Sequence, residues 1–328
     1  MTKVRIEEVA ARAGVSAITV SRVLRAPEKV TPETRARVQA AVDAMGYIPN
    51  LMARSLASRR SGIVAILVPT VGNSIFSETV RGVSDAIAPG GLQLLIADFG
   101  YSDESIATLL RTLIGRQPDA LVMVGVMRDK ALRRMLGALS IPVIETWELT
   151  EDPIDTVVGF SNAAAGAAVA EHLLAGGRRR FAFAGGRDQR ATARAEGFAA
   201  ALAKAGVAAP LRAWTGPIRF AEGRLALDRI LAEAPDIDAL FYATDVLAVG
   251  GLLECQRRGI AVPERIAIVG LGDLDIASEL SPGLTTIQVP AYEIGRRAGE
   301  IIVARLSGAA DEERLVDLGF SLVVRESS

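Results

Sequence analysis

Covalent and metal chemistry have few carriers in this chain of 328 residues, which holds one histidine, His172, and one cysteine, Cys255. His172 lies in the apolar stretch A-A-V-A-E-H-L-L-A. There an imidazole reads as a packing or surface residue, with neither a nucleophile to activate nor a second metal ligand beside it. Cys255 lies in G-G-L-L-E-C-Q-R-R-G, with no histidine nearby in sequence to activate its thiol. Gly270-Leu271-Gly272 follows an apolar run but lacks the third glycine and the helix opening of a dinucleotide fingerprint. No enzyme activity, metal or cofactor is therefore expected. A lone cysteine forms no intramolecular disulfide, which suits a reducing cytoplasm. The opening Met-Thr-Lys-Val-Arg-Ile-Glu-Glu lacks the apolar run of an export signal, and no later segment offers about 18 uncharged apolar residues, so no membrane association is expected.

What the residue types do offer is recognition through charge. The net charge of -1 conceals a division: residues 1–60 hold 11 Lys/Arg against 5 Asp/Glu, leaving 26 basic and 33 acidic residues for the remainder. A basic end on a mildly acidic body is the electrostatic footprint of polyanion contact at one end, although charge alone would equally suit a solvated surface.

That basic end has helical punctuation. Ile6, Val9, Ala10 and Ala13 share one face, Gly14 stops the helix, and Ser16 supplies the cap for a second helix that turns Val20, Val23 and Leu24 inward. Thr31-Pro32-Glu33-Thr34 then caps a third helix carrying Val38, Ala41, Val42 and Met45. Helix, glycine turn, helix is the arrangement whose second helix enters the DNA major groove by its N-terminal half. Arg22 is suited to a guanine edge, and Ala17 and Ile18 to apolar contact such as a thymine methyl. Ser16, Thr19 and Ser21 suit phosphates or capping. A generic three-helix mini-domain is the alternative. After Gly46-Tyr47-Ile48-Pro49-Asn50, the segment L-M-A-R-S-L-A-S-R-R-S allows one helical turn from Leu51 to Ala57, too short to be stable alone.

From Gly62 the pattern changes to short apolar runs separated by helical stretches. G-I-V-A-I-L-V-P, L-Q-L-L-I-A-D-F, D-A-L-V-M-V-G-V and I-P-V-I-E-T-W form one series. R-F-A-F-A-G-G, L-R-A-W-T-G-P, D-A-L-F-Y-A-T-D and R-I-A-I-V-G-L-G-D form a second. Two doubly wound parallel sheets are expected, with a ligand beyond the strands' carboxyl ends in the cleft between two lobes. The polar and aromatic residues that follow those strands are the binding candidates: Asn73, Ser74 and Phe76; Glu145 and Trp147; Arg190 and Arg194; Phe220 and Asp245.

The string I-E-E-V-A-A-R-A-G-V-S-A-I-T-V-S-R-V-L, followed by V-T-P-E-T-R-A-R-V and G-Y-I-P-N, resembles the headpiece signature of the lactose-repressor (LacI-type) transcription factors, and the match continues in order along essentially the whole chain. The resemblance implies a DNA-binding repressor controlled by a small metabolite. The expected fold is an all-α helix-turn-helix headpiece over 1–48, a hinge over 49–61, and a two-lobed α/β domain like the periplasmic binding proteins over 62–328. Lobe crossovers near Phe160, Pro290 and Gly319 divide that domain into about 62–160 with 291–318, and about 161–290 with 319–328. By the same resemblance, a leucine at the position of Leu56 wedges into the minor groove and bends the duplex, while Arg54, Arg59 and Arg60 are suited to phosphates on either reading of the segment. An ordinary flexible linker is the alternative for that segment. The implied partners are near-palindromic double-stranded operator DNA, a second copy in a homodimer, and the effector. No leucine heptad follows Phe320, so a dimer is favoured over a tetramer. A solute-binding protein without DNA function is the rival, but it would lack a headpiece and need an export signal.

For the effector, family members pack an aromatic near Phe76 on the ligand and grip it with an arginine at Arg194 or its neighbour. Two departures from the family pattern remove carboxylates. Gly270-Leu271-Gly272-Asp273 has glycine where the first of two aspartates is usual, and V-V-G-F-S-N has Ser161 where an aspartate is common. Fewer anionic groups repel an anionic ligand less. The strings I-P-V-I-E, V-G-F-S-N, L-A-V-G-G-L-L-E-C-Q-R-R-G and V-D-L-G-F resemble the gluconate-repressor branch most. A sugar acid is then expected, its carboxylate facing Arg190 or Arg194 and its hydroxyls meeting Glu145, Asn162 and Asp245, with Asp273 nearby. A neutral sugar and a phosphorylated sugar acid stay as alternatives.

Overall fold

The computed structural model describes residues 4–47, 60–72, 74–100, 103–309 and 313–328. The chain divides into two units, Met1–Ser61 and Gly62–Ser328.

In the first unit, α1 (Ile6–Ala13) opens with the Arg5 N–H donating to the Glu8 carboxylate at 3.2 Å and closes at Gly14, whose φ of 64° only glycine adopts at little cost. Ser16 caps α2 (Ala17–Arg25) by accepting from the Thr19 N–H at 3.2 Å. Thr31 caps α3 (Pro32–Met45), with Pro32 in the first turn where a missing N–H costs nothing. A single 3-10 turn, Pro27–Lys29, joins the second helix to the third. Val9, Ala10, Ala13, Val20, Val23, Val38, Ala41 and Val42 form one small core. Arg37 fastens it by donating to the carbonyls of Ala13 and Gly14 at 3.1 and 3.3 Å.

The second unit holds two six-stranded sheets. The first contains β1 (Ile63–Val68), β2 (Gln93–Asp98), β3 (Ala120–Val124), β4 (Val143–Thr146), β5 (Thr156–Gly159) and β11 (Leu315–Asp317), in the order β11-β5-β4-β3-β1-β2 with every pairing parallel. The second contains β6 (Phe181–Gly185), β7 (Leu211–Trp214), β8 (Ala239–Tyr242), β9 (Ala267–Gly272), β10 (Thr285–Gln288) and β12 (Ser321–Val323), in the order β12-β10-β9-β8-β6-β7. The chain leaves the first sheet after Gly159, returns to it after Gln288, and crosses once more between Asp317 and Ser321.

Those crossings orient everything else. β5, β10 and β11 each end where the chain changes sheets, so in both sheets the carboxyl ends of the parallel strands face the boundary between the lobes. β12 begins at that boundary instead, and it therefore runs antiparallel to β10. The second sheet is thus parallel except for one edge strand, and both are the doubly wound parallel sheets expected.

Between the strands lie α4 (Ser77–Ile87), α5 (Asp103–Gly115) and α6 (Lys130–Gly137) in the first lobe, and α7 (Asn162–Ala175), α8 (Gln189–Lys204), α9 (Phe220–Glu233), α10 (Asp245–Arg258) and the short α11 (Ile276–Glu279) in the second; α12 (Ala291–Leu306) returns to the first. Three helix pairs pack most closely: α4 with α12, α7 with α8, and α9 with α10. Each pair crosses at reciprocal glycines. A Cβ on Gly82 would stand 2.2 Å from the Tyr292 carbonyl oxygen and one on Gly295 2.0 Å from that of Thr79. Gly166 and Gly197 face the carbonyls of Arg194 and Ala163 at 2.1 and 1.9 Å, and Gly223 and Gly250 those of Leu247 and Phe220 at 1.9 Å. Backbones this close leave no volume for a methyl group. Among the described residues, no helix is long and apolar enough to cross a membrane.

Candidate functional site

In the first unit, α2 turns Val20 and Val23 into the core, and Ile18 and Arg22, one helical turn apart, to the outside. Ile18 is 71% exposed, which exceeds every other large apolar residue of the described chain. An aliphatic side chain standing in water on a small basic unit is unfavourable unless a partner covers it. Ala17, Thr19 and Ser21 are half-buried, and Ser16 is occupied as the cap, with its Oγ also 2.9 Å from the Thr19 hydroxyl. Arg54 and Leu56 lie outside the described residues.

In the second unit, the boundary that the strand ends face contains a cleft of about 790 Å³. One wall is the segment after β3, Gly125–Asp129, together with Glu148 after β4; the other is Gly186–Arg190 after β6 and Thr215–Ile218 after β7. Arg190 reaches across. Its guanidinium lies 5.2 Å above the Phe76 ring, donates to the Val124 carbonyl at 3.4 Å, and has one carboxylate, Asp188, at 3.7 Å. Arg190 is buried yet lines the cleft.

Arg194 lies one helical turn deeper and is committed to the protein. Its Nε donates to Asn162 Oδ1 at 2.8 Å and its Nη1 to the Ala243 carbonyl at 2.7 Å. Asn162 passes the connection on by donating to the Trp147 carbonyl at 2.9 Å. The Trp147 indole N–H donates to the Thr79 hydroxyl at 2.9 Å, which donates to the Ala291 carbonyl at 3.0 Å. This chain of hydrogen bonds runs from the second lobe into the first. The glycine crossings make it reachable: Gly166 and Gly197 bring α7 against α8, hence Asn162 to Arg194, and Gly82 and Gly295 bring α4 against α12, hence Thr79 to Ala291. Trp147 has a φ of 69° and stacks edge-on with Phe76 at 4.9 Å between ring centres. The cavity around Phe76, Trp147 and Arg194 is only about 20 Å³, room for a water and not a sugar.

The remaining described candidates line neither space. Glu145 is fully buried; its two oxygens accept from the Met127 and Ile154 N–H groups at 2.8 Å each, and burial pushes its carboxyl above the usual range. It holds the wall of the cleft from behind. Asp245 is also fully buried, accepting from the Thr286 hydroxyl at 2.6 Å and the Leu274 N–H at 2.9 Å, and burial raises its carboxyl to about 6. A Cβ on Gly270 would sit 2.2 Å from Asp245 Oδ1, so the first glycine of Gly270-Leu271-Gly272 is required by packing. Asp273 is paired with Arg325 at 2.7 Å and accepts from Gln288 at 2.9 Å. Ser74 is exposed at its short helical turn, Phe220 is 51% exposed at the start of α9, and Asn73 lies outside the described residues.

Residues that the sequence reading passed over complete the cleft. Arg128 pairs with Glu148 at 2.8 Å and donates to Gln189 of the other lobe at 2.9 Å. Glu148 is the first carboxylate after β4, three residues past Glu145 in the strand, and that spacing was its only signal. Among the described residues, no cluster of His, Cys, Asp and Glu has the geometry to hold a metal ion.

Comparison with known proteins accounts for both units. Residues 5–50 match the model of bacterial regulatory proteins of the lacI family, and residues 170–328 match that of a periplasmic binding protein-like domain. The HTH-type transcriptional regulator GntR of Pseudomonas aeruginosa is 42% identical over 98% of this chain and 95% of its own. The regulator of the same name from Escherichia coli K12 is 31% identical over 97% of this chain and 96% of its own. The crystal structure of a LacI family transcriptional regulator from Silicibacter pomeroyi superposes with a TM-score of 0.92 at 35% identity, covering 99% of both chains. With a basic three-helix unit that exposes Ile18 and Arg22, a two-lobed unit with a charged cleft, and relatives of this closeness, the chain belongs to the lacI family of bacterial regulatory proteins and is a DNA-binding transcriptional regulator.

Proposed function

We propose that this protein is a cytoplasmic, homodimeric repressor whose affinity for a near-palindromic operator is set by a sugar acid of the gluconate type held in the cleft of Gly62–Ser328. The observation that carries the reading is Arg190. It is buried, lines the cleft, and faces a single carboxylate at 3.7 Å, beyond hydrogen-bond distance. An arginine so placed is suited to a planar two-oxygen anion, and a charge-assisted bond in a space shielded from water is stronger than one to a neutral hydroxyl. Resemblance to the gluconate-repressor branch and similarity to regulators named GntR support the same ligand class. A phosphorylated sugar acid is the second reading, favoured by the width of the cleft and by Arg187, which lines it from above the Trp214 ring.

Calorimetry on the full chain tests this. D-gluconate is expected to bind, D-glucose to bind far more weakly, and Arg190→Gln to lose about tenfold or more in affinity for the acid and little for the neutral sugar. Micromolar binding of glucose with no heat from gluconate or its 6-phosphate would overturn the reading.

A further inference from the structure

Among the described residues, Glu148 has the one buried side-chain polar atom without a hydrogen-bond partner, and Glu148 lines the cleft. Its side chain is 8% exposed; Oε1 takes the Arg128 guanidinium at 2.8 Å, while Oε2 accepts no hydrogen bond from any described residue. A buried carboxylate oxygen left unpaired costs as much as a lost hydrogen bond to a charged group, and folded proteins satisfy nearly all such atoms. Glu148 and Arg190 belong to opposite lobes and line the same cleft.

We infer that Glu148 is the second pole of the effector site: its Oε2 accepts a hydrogen bond from a hydroxyl of the sugar acid whose carboxylate is held at Arg190. This rests on the sugar-acid reading and deepens it. The donor is a neutral hydroxyl, because Arg128 already neutralises the carboxylate and a second cation would crowd against Arg128, Arg187 and Arg190 in the same cleft. Neutralisation by Arg128 is also what lets a carboxylate stand in a site for an anion. A ligand with both ends engaged touches both lobes, so Glu148 selects for acids that carry a hydroxyl at the right distance and against short or deoxygenated ones.

The test is calorimetry on the full chain with D-gluconate and its five monodeoxy analogues, C2 to C6. One analogue is expected to bind the parent protein at least about tenfold more weakly than gluconate, and that penalty is expected to shrink to about threefold or less in Glu148→Gln. Glu148→Asp, which keeps the charge and withdraws the oxygen by one methylene, is expected to shrink it likewise and serves if the glutamine variant does not fold. If gluconate binds the parent but no single deoxy acid loses more than about threefold, or the penalty is the same in both proteins, this inference is overturned while the sugar-acid reading stands. If gluconate gives no heat with the parent, both fall together.

Discussion

Arg194 is the residue whose removal separates a scaffold from a ligand grip. Its guanidinium supplies Asn162 Oδ1 and the Ala243 carbonyl, at 2.8 and 2.7 Å, inside a region where it is itself 3% exposed. Arg194→Ala strands both acceptors, at about 1–3 kcal/mol each, and removes the packed stem, so a loss of about 4 kcal/mol is expected. At roughly 2 °C per kcal/mol for a unit the size of Gly62–Ser328, the effector-free sensor should melt about 8 °C lower. Arg194→Lys should recover little, because a point ammonium cannot reach two acceptors from the positions the planar fork serves. Scanning calorimetry without ligand reads this directly. If Arg194→Ala melts within about 2 °C of the parent and loses only effector affinity, then Arg194 grips the ligand and the hydrogen-bond chain through Asn162 and Trp147 is not what holds it.

Three further outcomes follow from named contacts. Arg22→Ala should weaken operator binding by about 1–3 kcal/mol and leave salt-dependent binding to random DNA nearly unchanged; equal loss on both in gel shifts would mean that Arg22 meets phosphate and not a base. Burial raises the Asp245 carboxyl to about 6, above the value of about 3.9 in an unfolded chain, so the folded state holds a proton the unfolded state releases between those values. The group therefore favours folding at acid pH and that advantage is lost as pH rises through 6: the stability of the parent relative to Asp245→Asn should fall by about 2 kcal/mol from pH 4 to 7 in urea titrations, and a flat difference would refute the cause. Gly197→Ala forces a methyl to 1.9 Å from the Ala163 carbonyl and should cost about 3 kcal/mol, whereas Gly137→Ala, with nothing within 4 Å, should gain up to about 1 kcal/mol; equal effects on the urea midpoint would remove the close-crossing argument.

How far the molecule could be read beforehand depends on the range of the forces that shape each part. The first unit was legible because its determinants are local: Gly14, Ser16 and Thr31 act on their own neighbours, and a helix that must bury Val20 and Val23 has no choice but to expose Ile18 and Arg22. Four strands of each sheet, β1 to β4 and β6 to β9, were legible as apolar runs. β5, β10, β11 and β12, three or four residues long, lie outside those runs, and their membership follows from the lobe crossings. Nothing local distinguishes Gly197, jammed against Ala163, from Gly137, which faces open space.

The cleft fails to be legible for the same reason, and its failures are paired. Arg190 and Arg194 stand four apart on one face of α8, so a helical period treats them as equals; depth separates them, because the glycine crossing of α7 with α8 brings Asn162 to the inner one alone. Glu145 and Glu148 are equally close in sequence, yet the positive φ of Trp147 intervenes between them. Glu145 therefore stays behind the wall, satisfied by two backbone donors, and Glu148 lines the cleft with one buried oxygen unmet by any described residue. Residue type places arginines and carboxylates near the strand ends. Which member of each pair lines the cleft is decided by backbone approach and chain reversal at Gly166, Gly197 and Trp147, and those are properties of two segments in contact rather than of either segment alone.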